Sequence, residues 1–86
     1  LDPDGEALQF LQNNGVVASL GHSNANLDEA RKAFDAGVRM MTHTFNAMAP
    51  LHHRDPGAAG AALMDDRVTC CLIADGLHLA PETVSL

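Results

Sequence analysis

Basic side chains are scarce in this 86-residue chain: five Lys and Arg stand against eleven Asp and Glu, giving a formal net charge of −6 and a pI near 5.0. A protein that binds a nucleic-acid backbone needs clustered Lys and Arg to displace counterions, so no nucleic-acid partner is expected. Long apolar runs are lacking too. No stretch approaches the ~18 to 20 residues needed to cross a bilayer, and Leu1-Asp2-Pro3-Asp4 has neither the basic start nor the apolar core of a secretory signal. No membrane partner is expected, and the chain reads as soluble and cytoplasmic. Cysteine is limited to Cys70 and Cys71. Neighbours on a strand point to opposite faces and cannot easily bridge each other, so both are expected to be reduced, buried thiols, as suits the cytosol.

What is plentiful is apolar content. With 47% hydrophobic and 19% charged residues, the composition is that of a packed chain and not a disordered one. Its length allows one small domain, spanning 1–86.

Asp2-Pro3, with acidic Asp4 and Glu6 after it, predicts a helix start. The stripe Ala7, Leu8, Phe10 and Leu11 follows, and Asn14-Gly15 closes the helix as a left-handed cap. Val16 to Leu20 is a continuous apolar run of the kind expected for a strand buried on both faces. Asn26 with Glu29 three positions on predicts a capping box, and Leu27, Ala30, Ala33 and Phe34 share one helical face before Gly37 stops the helix. Val38 to Phe45 reads as a second strand and Val68 to Ala74 as a third. Between them lies a loop rich in Pro, His and Gly, then a short helical turn over Ala58 to Met64. Met40, Met41, Met48 and Met64 are expected to pack in or near the core.

Strands separated by helical connectors imply a parallel α/β sheet with right-handed crossovers and helices covering its faces. In such a sheet the loops after the strands converge on the carboxyl-terminal rim. Leu20-Gly21-His22 and Met41-Thr42-His43 each end an apolar run in a small residue and a histidine, 21 residues apart, and His78 follows the third strand. Parallel neighbours lie ~4.8 Å apart, so His22 and His43 could share one ligand as neutral imidazole donors to a metal. A hydrogen-bonded, partly buried histidine at each strand end fits the same pattern. Two imidazoles are also an incomplete catalytic site, which usually has three protein ligands.

Five segments, in order and with compatible spacing, carry a resemblance: "GHSNA" (Gly21 to Ala25), "THTFNAM" (Thr42 to Met48), "HHRDPG" (His52 to Gly57), "GAAL" (Gly60 to Leu63) and "LIADGLHL" (Leu72 to Leu79). Together they resemble the N-acetylglucosamine-6-phosphate deacetylase family of the amidohydrolase superfamily, whose members use a metal at the rim of a (β/α)8 barrel. The resemblance implies a partial TIM-type barrel segment with about three parallel strands and flanking helices. It makes His22 and His43 ligands of a divalent metal, zinc first, with iron or another divalent ion as alternatives. Asn46 and Ala47 become part of the sugar-phosphate pocket. Arg54 binds the phosphate through a planar fork suited to its oxygens, in its own subunit or across a dimer, and His78 holds the substrate near its acetamido group. The implied partners are a phosphorylated amino sugar and a second copy of the chain.

Two departures bear on pocket shape: Asp55 stands where the family usually has Glu, and Thr44 where it usually has Leu. Two absences bear on activity. The family's upstream Glu ligand and its downstream Asp, the general acid/base, have no counterpart, and Asp75 in the "ADG" turn is not expected to replace the latter. No catalytic residue is thus expected within this chain. A (β/α)8 barrel typically needs ~250 residues, so the chain is expected to be an internal fragment, inactive alone, of an enzyme that hydrolyses the acetamido group to glucosamine-6-phosphate and acetate. The alternatives are a non-catalytic truncated barrel fragment and another amidohydrolase acting on a cyclic amide. His52 and His53 read as solvated loop residues.

Overall fold

The computed structural model describes residues 5–86. In chain order its elements are α1 (Glu6–Asn13), β1 (Ser19–Leu20), α2 (Leu27–Ala36), β2 (Met40–Met41), α3 (Gly57–Met64), β3 (Thr69–Cys70) and α4 (Pro81–Val84). The strands form one parallel sheet in the order β1-β2-β3. Ser19 stands level with Met40 and Thr69, and Leu20 with Met41 and Cys70. The Asp2-Pro3 helix start lies outside the described residues.

Local chemistry explains the two long connectors. At α2, the Asn26 side chain accepts from the Glu29 N–H at 2.9 Å while Glu29 accepts from the Asn26 N–H at 3.2 Å. This reciprocal pair satisfies donors that a helix start otherwise leaves open. Gly37 ends the helix at φ 124°, where a Cβ is strained. In α3 the residues Gly57 to Ala62 are all buried. Their small side chains allow α2 and the sheet to approach closely, and the space is filled from the other side by Phe34 and Met41, both fully buried.

A strand order that advances in one direction, with right-handed crossovers, puts α2 and α3 on the same face of the sheet. That face holds the core: Ala30, Phe34, Val38, Met41, Ala58, Ala61 and Ala62, with Ala18, Leu20, Val68 and Cys70 packed against it. The other face is open. Val16 and Val17 are 47% and 64% exposed, which corrects the expectation of a first strand buried on both sides. Cys71 is likewise exposed while Cys70 is half-buried, both as free thiols, so only one of the pair is sheltered. Met64 points outward from the end of α3, against its expected place in the core.

The strands are shorter than the apolar runs suggested. Ladder hydrogen bonds do continue past them, from the Thr42 N–H to the Leu20 carbonyl at 2.8 Å and from the Thr44 N–H to the Cys71 carbonyl at 2.8 Å. Regular β structure stops because His43 and Phe45 adopt φ 30° and 78°, outside the extended region. Among the described residues no helix is long and apolar enough to cross a membrane.

Candidate functional site

The carboxyl ends of β1 and β2 are pressed together at Gly21, where a Cβ would lie 3.0 Å from that of Thr42. Two residues past the end of each strand stand His22 and His43. Their rings are 4.5 Å apart between centroids and cross at 85°. Four residues here that are not glycine have positive φ: His22 (46°), His43 (30°), Phe45 (78°) and Ala47 (54°). Such backbone costs roughly 1–3 kcal/mol per residue and persists only where surrounding contacts over-determine it. Strain is therefore concentrated at this rim.

His43 Nδ1 lies 2.9 Å from the Asn46 carbonyl oxygen. A carbonyl only accepts, so Nδ1 carries the hydrogen and Nε2 of the neutral ring is left with a lone pair. That is the arrangement by which an outer hydrogen bond prepares an imidazole to bind a metal. The side chain of Asn46 reaches the other way: its Nδ2 donates to the His78 carbonyl at 3.2 Å, and its buried Oδ1 has no hydrogen-bond partner among the described residues. Asn46 thus links the loop after β2 to the loop after β3.

In that second loop, Asp75 Oδ1 accepts from the N–H groups of Leu77 (2.8 Å) and His78 (3.0 Å), while Oδ2 lies 2.9 Å from His78 Nδ1. The His78 and Leu77 N–H groups, with the His78 ring, hold the Asp75 carboxyl down at about 2. It is therefore a carboxylate throughout the neutral range.

Of the residues singled out in the sequence, His22, His43, Asn46 and His78 are brought into one chain of contacts. Ala47 lies beside them, exposed. Arg54 is not drawn in. It sits on an exposed loop where its N–H donates to His52 Nδ1 at 3.1 Å, and among the described residues its guanidinium has no hydrogen-bond or ion-pair partner. His52 and His53 stack on each other with centroids 4.1 Å apart and planes tilted by 34°. No group of three or more His, Cys, Asp or Glu side chains among the described residues is placed to hold a metal. Asp75, read in the sequence only as part of the "ADG" turn, also contacts the His78 ring, a role the sequence analysis did not assign although an Asp two and three positions before backbone donors is a recognisable turn signal.

A separate cleft between α2 and α3, lined by Arg31, Asp35, Ala61 and Arg67, lies on the stretches that precede β2 and β3, away from this rim. Arg67 there bridges Asp65 at 2.7 Å and Asp35 at 2.9 Å. The Arg67 side chain and N–H hold the Asp65 carboxyl at about 2.

Parallel strands joined by helices, with paired histidines at the strand ends, define a segment of the parallel α/β class. No protein-family model matches the sequence. Individual proteins do. The chain is 46% identical over 81 residues to the N-acetylgalactosamine-6-phosphate deacetylase of Escherichia coli O157:H7, covering 94% of the chain and 22% of that enzyme. It is 41% identical over 85 residues to the N-acetylglucosamine-6-phosphate deacetylase of Bacillus subtilis (strain 168), covering 99% and 22%. The N-acetyl-D-glucosamine-6-phosphate deacetylase of Mycobacterium smegmatis superposes with a TM-score of 0.89 at 48% identity, over 94% of this chain and 24% of that one. A mutant of that enzyme has been solved in complex with N-acetyl-D-glucosamine-6-phosphate. Along nearly all its length, then, the chain is homologous to one segment of the amino-sugar-6-phosphate deacetylases, and it spans about a fifth of the length of the relatives it matches.

Proposed function

We propose that this chain supplies the paired-histidine metal half-site and part of the sugar-phosphate pocket of a deacetylase acting on an N-acetyl amino-sugar 6-phosphate. The observation that carries this reading is the His22–His43 pair, with His43 Nδ1 tied to the Asn46 carbonyl. Imidazole binds such ions through nitrogen at ~2.0–2.1 Å, and two rings with centroids 4.5 Å apart can share one ion, so the residues fit a divalent metal, zinc first. When bound, such an ion supplies Lewis-acid polarisation of an amide carbonyl and activation of water.

The chain's own residues bind and orient. His78 faces the acetamido group, and Asn46 and Ala47 line the sugar phosphate. The Arg54 guanidinium, unpartnered among the described residues, is free to meet the phosphate of its own subunit or of a second one in a homo-oligomer. The open sheet face and the apolar Val17 and Leu77, 64% and 89% exposed, support a place within a (β/α)8 barrel, whose further strands would bring the third metal ligand and the general acid/base. Two free thiols suit a reducing compartment, and we place the reaction in the cytoplasm.

The strong likeness to an N-acetylgalactosamine-6-phosphate deacetylase keeps the C4 epimer as a second substrate. Acetate release from both sugar phosphates by the enzyme carrying this segment is the test. His43→Ala should abolish it for both. Unchanged release in that variant would withdraw the reading.

A further inference from the structure

His78 has two ring nitrogens, and which of them it presents is decided by its neighbour. Asp75 makes three hydrogen bonds within four residues: two anchor its Oδ1 to the backbone N–H groups of Leu77 and His78, and the third joins its Oδ2 to His78 Nδ1 at 2.9 Å. The backbone bonds hold the carboxylate in place, so the ring turns to the carboxylate and not the reverse. A carboxylate accepts only, hence Nδ1 carries a hydrogen. On the other side of the residue, the His78 carbonyl accepts from Asn46 Nδ2 at 3.2 Å. His78 is thus held through its ring at Nδ1 and through its backbone carbonyl.

We propose that Asp75 is a positioning residue: it commits His78 Nδ1 to itself, so that His78 meets the substrate through Nε2 alone. This deepens the proposed function and rests on its placing of His78 against the acetamido group. The chemical consequence is specific. In the neutral ring Nε2 bears a lone pair and accepts from an N–H or hydroxyl; it donates to a carbonyl oxygen only when the ring carries both hydrogens, with Asp75 as the counter-charge. A carboxylate that fixes a tautomer in this way is a recurring device of histidine sites.

The 86-residue chain can be read directly by two-bond 1H–15N NMR of its imidazoles at a pH where the rings are neutral. His78 should show a pyrrole-type Nδ1 and a pyridine-type Nε2. His52 is an internal opposite, because its Nδ1 accepts the Arg54 N–H at 3.1 Å. Asp75→Asn, whose amide donates, should exchange the two nitrogen types of His78, and Asp75→Ala should give a mixture. Folding of each variant is checked by the unchanged shifts of His43. A pyridine-type Nδ1 at His78 in the unaltered chain, or the same tautomer in all three proteins, would overturn the proposal. The tautomer is read without substrate, so failure here is distinct from failure of the deacetylase reading, which turnover decides.

Discussion

The imidazoles of His22 and His43 face each other at 4.5 Å with their planes crossed at 85°, although 21 positions separate them in the chain. Parallel pairing makes this possible. Leu20 and Met41 are register partners, so the histidine two residues beyond each arrives at the same level of the sheet. Gly21 removes the side chain that would hold the strand ends apart.

Gly37 joins α2 to β2 at φ 124°, and a Cβ there would also displace the Gln12 amide that donates to the Ala36 carbonyl at 3.0 Å. The side chain of Gln12 is able to move, but the backbone is not. Gly37→Ala should therefore destabilise the chain by about 1–2 kcal/mol. Urea unfolding should show a lower midpoint with an unchanged slope. An unchanged midpoint would mean the turn relaxes without cost.

Acid should loosen the α2–α3 junction. The Asp65 carboxyl lies at about 2 in the folded chain, below its ordinary 3.8, chiefly through the Arg67 side chain. A depressed carboxyl contributes stability above its unfolded value and loses it as pH falls through the folded one. Asp65→Asn should thus be less stable than the unaltered chain near neutral pH, with the gap closing between about pH 4 and pH 2. A gap that is constant over that range would exclude the ion pair as its source.

Arg54 has no partner for its guanidinium among the described residues, which leaves its donors free for an anion. In the enzyme carrying this segment, Arg54→Ala should lower kcat/KM for the phosphorylated sugar about 10- to 100-fold, the worth of one or two charge-assisted hydrogen bonds. N-acetylglucosamine without phosphate should be nearly unaffected. An unaltered ratio between the two sugars would end the phosphate assignment.

The legible features were those set by short spacings. Asn26 and Glu29 are three apart, and the capping box they form depends on nothing distant. The histidine pair was legible for a topological reason, since every strand of a parallel sheet delivers its end to one rim. Strand length was not, because the turn of the backbone at His43 and Phe45 leaves no trace in β propensity. Nor was the burial of the first apolar run: Val16 and Val17 read as buried, yet both precede the short β1 and are exposed. The turn at Asp75 was legible, but its contact with the His78 ring was not, because it arises only when that turn brings Oδ2 back onto its own loop.

The central claim is that His22 and His43 are the metal-binding pair. The chain holds a competing pair, since His52 and His53 are slightly closer, at 4.1 Å. The planes of His22 and His43 cross at 85°, an arrangement that allows in-plane lone pairs from the two rings to point at one position. The planes of His52 and His53 are tilted by only 34°, so their in-plane lone pairs converge less readily. His52 Nδ1 is moreover already taken by the Arg54 N–H. Titration of zinc into the 86-residue chain, followed by the imidazole NMR signals, separates the two. His22 and His43 should move together and saturate at one ion per chain, weakly, because two donors are an incomplete set, and His43→Ala should abolish the effect. Zinc that perturbs His52 and His53 first, or that binds unchanged in His43→Ala, would contradict the assignment.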